Sequence, residues 1–199
     1  DHNMLGLQSL LWGAKVQGIE TVVAASGDRI GTGSARDAAP RVTPVHDVDV
    51  FSLIRLCQTE GFQTGAVFDP GWDQNRIDKE VERLHRKRDA GAAFVVTQPV
   101  YDRKTAETIQ RKLNGCGIPV IMGILPLYTA RHADFLHAHV SGIIIPEQVR
   151  SAMHAASAPA EEGIRQAREM YIIAQQLFSG VCLMPPFHKY ELMAAILGN

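Results

Sequence analysis

The chain has 199 residues, 46% of them hydrophobic, and a formal net charge of -1. That is enough for one substantial core, with no concentrated basic face for nucleic acid, no apolar run long enough to span a bilayer and no basic-then-apolar leader. A soluble, cytoplasmic protein is expected. Its cysteines, Cys57, Cys116 and Cys182, are odd in number, far apart and set among apolar residues, which speaks for buried thiols and against a disulfide framework or a metal site.

In chain order, Leu5, Leu7, Leu10, Leu11 and Val16 predict an opening helix that stops at Gly18. A strand over 22–25 ends at Ser26-Gly27-Asp28, and residues 29–44, rich in Gly, Ala, Pro and Thr, read as a long loop of the kind that often carries function. Asp47 is expected to cap a helix carrying Val50, Phe51, Ile54, Leu56 and Cys57, closed by Gly61. A strand over 62–68 stops before Asp69-Pro70, and a charged amphipathic helix spans 72–89. Ala90-Gly91-Ala92 turns into a strand over 94–96 that ends at Thr97-Gln98, after which Asp102 caps a helix running to Leu113. A fourth interior strand, 120–125, stops at Pro126, helices follow over 131–139, 147–155 and 161–178, and a last strand over 181–184 meets Pro185-Pro186.

Apolar strands alternating with helix-period segments describe an α/β protein with a parallel sheet, in one domain over 1–199. Five such units fit either an open doubly wound sheet or most of a (β/α)8 TIM barrel whose first strands are missing from this chain. Asp1 runs almost directly into a helix, as though a strand had just ended, and the expectation is an incomplete barrel holding about the last five strands. In both architectures chemistry collects at the carboxyl ends of the strands, where Asp28, Asp69, Thr97 and Gln98 stand.

Several segments carry a family resemblance: Asp1-His2-Asn3-Met4-Leu5-Gly6-Leu7-Gln8-Ser9, Ser26-Gly27-Asp28, Asp89-Ala90-Gly91-Ala92 followed by Thr97-Gln98-Pro99-Val100-Tyr101-Asp102, and Gly123-Ile124-Leu125-Pro126-Leu127. In order and spacing they resemble methylenetetrahydrofolate reductase. Pro186-Phe187-His188-Lys189-Tyr190-Glu191 is similar to a segment of the form fused behind a homocysteine methyltransferase domain. The resemblance implies an eight-stranded barrel that binds FAD and passes a hydride from NADH or NADPH through the flavin to methylenetetrahydrofolate. It also implies a homo-oligomer or part of a longer fused polypeptide.

Carried over residue by residue, the resemblance implies that the Asp28 carboxylate faces the flavin and the folate, stabilising the cationic iminium that accepts hydride. Its alternative is an Asp closing a turn. Gln98 is implied to hydrogen-bond the pterin and to meet the nicotinamide, against a plain role in satisfying loop backbone. Ala66 and Phe68 are implied to touch the flavin, Phe68 standing where a tyrosine is common. Glu80 and Lys87 are implied to hold the ribose and phosphates of FAD, although Arg83, His85, Arg86, Lys87 and Arg88 also read as an ordinary solvated helix face. Lys189 is implied near the folate's glutamate tail, with His132 and Arg131 among the substrate contacts.

The chain also departs from the family. Ser26 stands where many relatives have a phosphate-binding arginine, for which Arg29 is a partial substitute. Gly31-Thr32-Gly33 lacks the third glycine and following helix of a dinucleotide fingerprint. The spacing of His132, His137 and His139 does not put all three on one helical face, so no metal is expected. The family's general-acid glutamate has no counterpart in residues 1–199, so the resemblance implies an upstream segment that supplies it. A noncatalytic folate-binding or interaction module, and a flavin-free barrel that handles folate methyl groups, are the competing readings.

Overall fold

Among the described residues, five strands, all parallel, stand side by side in the order in which they occur in the chain. The computed structural model describes residues 2–27, 45–70 and 74–198. The strands are β1 (Thr21–Ala24), β2 (Gln63–Phe68), β3 (Phe94–Pro99), β4 (Val120–Ile124) and β5 (Gly180–Leu183). The helices are α1 (Met4–Val16), α2 (Val50–Thr59), α3 (Gln74–Asp89), α4 (Arg103–Leu113), α5 (Ala130–His139), α6 (Glu147–Ala155), α7 (Pro159–Leu177) and α8 (Glu191–Leu197). A doubly wound sheet reverses its strand order at a switch point. This sheet does not, and its winding is that of a (β/α)8 barrel wall, five strands of which lie among the described residues.

Successive right-handed crossovers return the helices to one face of such a wall. On that face Phe68, Val95, Met122 and Ile124 pack against Ile77 and Leu84 of α3, Ala106, Ile109 and Leu113 of α4, and Ala167, Met170, Ile173 and Ala174 of α7. Ala24 and Ala66 pack against Val50, Phe51 and Ile54 of α2. Because side chains alternate along a strand, Gly65, Val67, Phe94, Val96 and Ile121 belong to the opposite face. Gly65 pairs in register with Phe94, and a Cβ at Gly65 would stand 2.4 Å from the Phe94 ring, so the ring lies across the glycine.

Helix starts follow from side-chain caps. Asn3 Oδ1 accepts from Gly6 N–H at 2.8 Å, Asp102 Oδ1 from Thr105 N–H at 2.8 Å, and Thr129 Oγ1 from His132 N–H at 3.0 Å. The cap of α2 is Asp49 rather than Asp47: it immediately precedes Val50 and accepts from Ser52 N–H at 2.7 Å. Asp47 instead accepts from Met4 N–H at the start of α1, at 3.4 Å. A 3-10 turn, Pro186–His188, and α8 were not anticipated from the sequence. No described helix is long and apolar enough to cross a membrane, and the described residues hold no cluster fit for a metal ion.

Candidate active site

Of the expected site residues, Ala66 and Phe68 lie on β2, Gln98 on β3, Glu80 and Lys87 on α3, His132 on α5, and Lys189 in the segment after β5. At the end of β3 the ladder to β4 slips: Val96 pairs with Ile121, but the next pair is Pro99 with Gly123. Thr97 and Gln98 together therefore oppose the single residue Met122. Such a bulge breaks side-chain alternation and re-aims the residues beyond it, which is why bulges recur beside active sites. Thr97 is 1% exposed. Its hydroxyl accepts from Gly123 N–H at 3.0 Å and donates to the Gln98 carbonyl at 2.8 Å. Gln98 is half-buried.

At the end of β2 the carboxylate of Asp69 pairs with Arg76 at 2.6 Å. It also lies against the turn after α5, where a Cβ on Gly142 would come within 3.0 Å of it. Nearly two turns into α3, Glu80 receives Lys87 at 2.6 Å, and the same ammonium donates to the Val67 carbonyl at 2.6 Å. Lys87 is 5% exposed. Its charge is directed inward to an acid and a strand carbonyl, which braces α3 against β2. The cations facing outward on α3 are others: Arg76, Lys79, Arg83 and Arg86, with Glu80 and Glu82, line a cavity of about 300 Å³. Arg83 and Arg86 lie over the ring of Phe51, with guanidinium carbons 5.5 and 4.2 Å from its centroid.

Ala66 and Phe68 lie on β2. Both are fully buried on the helix side of the sheet, in clusters with α2 and α3. Strand alternation puts them on the same face, turned away from Val67 and Val96.

The loops after β4 and β5 meet. His132 Nδ1 accepts from Tyr128 N–H at 3.3 Å, which makes Nδ1 the unprotonated nitrogen, and partial burial lowers the pKa of the imidazole. The His132 ring is 4.8 Å from that of Phe187 and Lys189 Nζ is 4.7 Å from the centre of Tyr128. The structure thus brings the expected substrate residues His132 and Lys189 together through Tyr128 and Phe187, two residues to which sequence reasoning gave no role. Phe187 and His188 both hold left-handed backbone, φ 52° and 58°, and Phe187 is 64% exposed. Two successive non-glycine residues in that region are strained, a mark of ligand-binding loops. An exposed aromatic in a quoted motif was the available signal, but the strain was not legible.

Asp28 lies outside the described residues, as do Arg29 and Gly31 to Gly33. Its described neighbours are an exposed Ser26 and Gly27 at φ 65°. The described residues thus hold an amide on a bulge at the end of β3, a cation-lined cavity on α3 and an aromatic, basic corner after β4 and β5.

The family model described as methylenetetrahydrofolate reductase matches residues 1–195. Among curated proteins, none matches. The family match takes in every described strand of the parallel wall, and the chain belongs to the methylenetetrahydrofolate reductase family.

Proposed function

We propose that the protein reduces 5,10-methylenetetrahydrofolate to 5-methyltetrahydrofolate, taking hydride from NADH or NADPH by way of FAD. The observation that carries this reading is the family match over residues 1–195. The cavity on α3 fits the cofactor's charge: four cationic and two acidic side chains line it, a balance that suits a diphosphate. Arg76, Lys79, Arg83 and Arg86 would hold that group, with Glu80 braced by Lys87 available to a ribose hydroxyl. FAD, when bound, supplies the hydride relay.

The chain's own residues do the rest. Asp28 holds a negative charge beside the cationic methylene iminium and stabilises the form that accepts hydride. Gln98 offers an amide donor and acceptor to the edge of the pterin and orients it. Lys189, beside Tyr128, attracts the carboxylates of the folate tail, while Phe187 and His132 present ring faces to its aromatic part.

Anaerobic mixing of the full-length protein with NADH should bleach a bound flavin, and adding methylenetetrahydrofolate should restore its absorbance. Asp28→Asn should slow restoration at least about 100-fold, the scale of removing one transition-state electrostatic contact. A protein purified without flavin that neither takes up FAD nor oxidises NADH would overturn the reading.

A further inference from the structure

We propose that Thr97 is a positioning residue: its buried hydroxyl pins the bulge at the end of β3 and so fixes the direction in which Gln98 presents its amide. The inference rests on the reading of Gln98 as a substrate contact. In a regular parallel ladder each strand's N–H groups are met by neighbouring carbonyls. At this bulge the N–H of Gly123 is met by a side chain, Thr97 Oγ1, at 3.0 Å. That hydroxyl donates its own proton to the carbonyl of Gln98 at 2.8 Å. One oxygen therefore ties the neighbouring strand to the peptide that leaves Gln98, and both of its hydrogen-bonding roles are used while it is 1% exposed.

Gly123 completes the clamp. A Cβ there would stand 2.5 Å from the Thr97 carbonyl and 3.3 Å from the Gln98 carbonyl carbon, so β4 approaches the bulge closely only because that atom is missing. Immediately beyond, Val100 N–H donates to the Gly123 carbonyl at 3.1 Å and regular pairing resumes. The extra residue of β3 is thus held from three sides. Without the hydroxyl the Gly123 N–H is left buried and unmet, and the bulge is free to relax toward regular pairing, turning residue 98 by a register step.

Thr97→Val keeps shape and β-branching and deletes only the hydroxyl, while Thr97→Ser keeps the hydroxyl. In full-length protein with 15N-labelled glycine and glutamine, Thr97→Val should speed exchange of the Gly123 amide at least about tenfold and shift the Gln98 side-chain amide resonances, and Thr97→Ser should do neither. In turnover, Thr97→Val should slow flavin re-oxidation by methylenetetrahydrofolate about tenfold, Thr97→Ser should restore the rate, and Thr97→Val combined with Gln98→Ala should be no slower than Gln98→Ala alone, because a residue acting through another is non-additive with it. Unchanged Gly123 exchange and Gln98 resonances in Thr97→Val would overturn the proposal, as would a double variant slower by the product of the single effects. If Gln98→Ala turns over normally, the reading of Gln98 as a substrate contact fails, while the resonance shift still decides whether Thr97 aims it.

Discussion

The imidazole of His132, carried by the first turn of α5, lies 4.8 Å from the ring of Phe187, which follows β5. The contact joins α5 to the turn after β5, far apart in sequence, and places a titratable ring in a partly buried stack. Burial disfavours the imidazolium, so the folded-state pKa lies below the ordinary value of 6.5. Below pH 6.5, down to that lower folded value, the unfolded chain binds more protons than the native one. This contribution is therefore fully present at higher pH and is lost as pH falls through the window. Urea denaturation at pH 5.0 and 7.5 should show a loss at the lower pH that His132→Phe diminishes; an equal loss in the variant would contradict a role for this imidazole.

At position 187 glycine should be more stabilising than alanine. A left-handed backbone costs a non-glycine residue about 1–2 kcal/mol, and glycine almost nothing. Phe187→Ala keeps that cost and loses the ring contacts. Phe187→Gly loses the contacts and removes the cost, though it gains about 0.5–1 kcal/mol of chain entropy when unfolded. Phe187→Gly should be the more stable variant by up to about 1 kcal/mol in chemical denaturation, with both binding folate more weakly than the parent.

Lys87 and Glu80 form a mostly buried ion pair, their side chains 6% and 17% exposed. Removing one partner of a fully buried pair costs about 3–5 kcal/mol. The residual exposure of Glu80 reduces this, and Lys87→Met should cost about 2–3 kcal/mol. Adding Glu80→Leu should recover part of the loss, since no buried carboxylate is then left alone. A surface role for Lys87 predicts instead a change under about 0.5 kcal/mol, which thermal melts distinguish readily.

Gly163 sits in α7 where the helix crosses the loop after β4. A Cβ there would come within 1.7 Å of the Leu127 carbonyl oxygen and 2.8 Å of its carbon. Helix propensity favours alanine by about 1 kcal/mol, whereas overpacking against backbone costs about 1–3 kcal/mol or more. At 1.7 Å the steric cost dominates, and Gly163→Ala should destabilise by about 2 kcal/mol, seen as a lower urea midpoint.

Tyr101 Oη and Gln166 Oε1 line one small cavity and are buried without a protein hydrogen-bond partner among the described residues. Burial pushes the Tyr101 phenol well above its ordinary range. A hydroxyl in that position contributes little, so Tyr101→Phe should be neutral or stabilising by up to about 1 kcal/mol. A loss above about 1 kcal/mol would show that the hydroxyl is satisfied in solution.

The sheet was legible because its strands are apolar runs cut off by polar turns: all five appear within a few residues of where the runs predict them. Helix α6 matches its expected span of 147–155, and Asp102 caps α4 as its position suggested. Less visible were features that depend on neighbouring strands. Composition does not reveal which face Ala66 and Phe68 take, because a strand buried on both faces lacks the polar alternation that reports orientation. The slip at Thr97 arises from pairing with β4, and Lys87 reads as one cation in a charged run until the Val67 carbonyl is found beneath it. Asp47 and Asp49 are chemically equivalent caps in sequence, and only the position of Ser52 N–H separates them.

The monotonic order of the sheet also bears on how the chain reaches its shape. Every strand after β1 adds to an edge formed by the strand synthesised just before it, so each β–α unit docks onto a template already in place as it leaves the ribosome. Loop-closure entropy is paid in small instalments. The exception is the stretch between β4 and β5, which must fold three helices before the last strand can seat, making that step the expected pause in assembly.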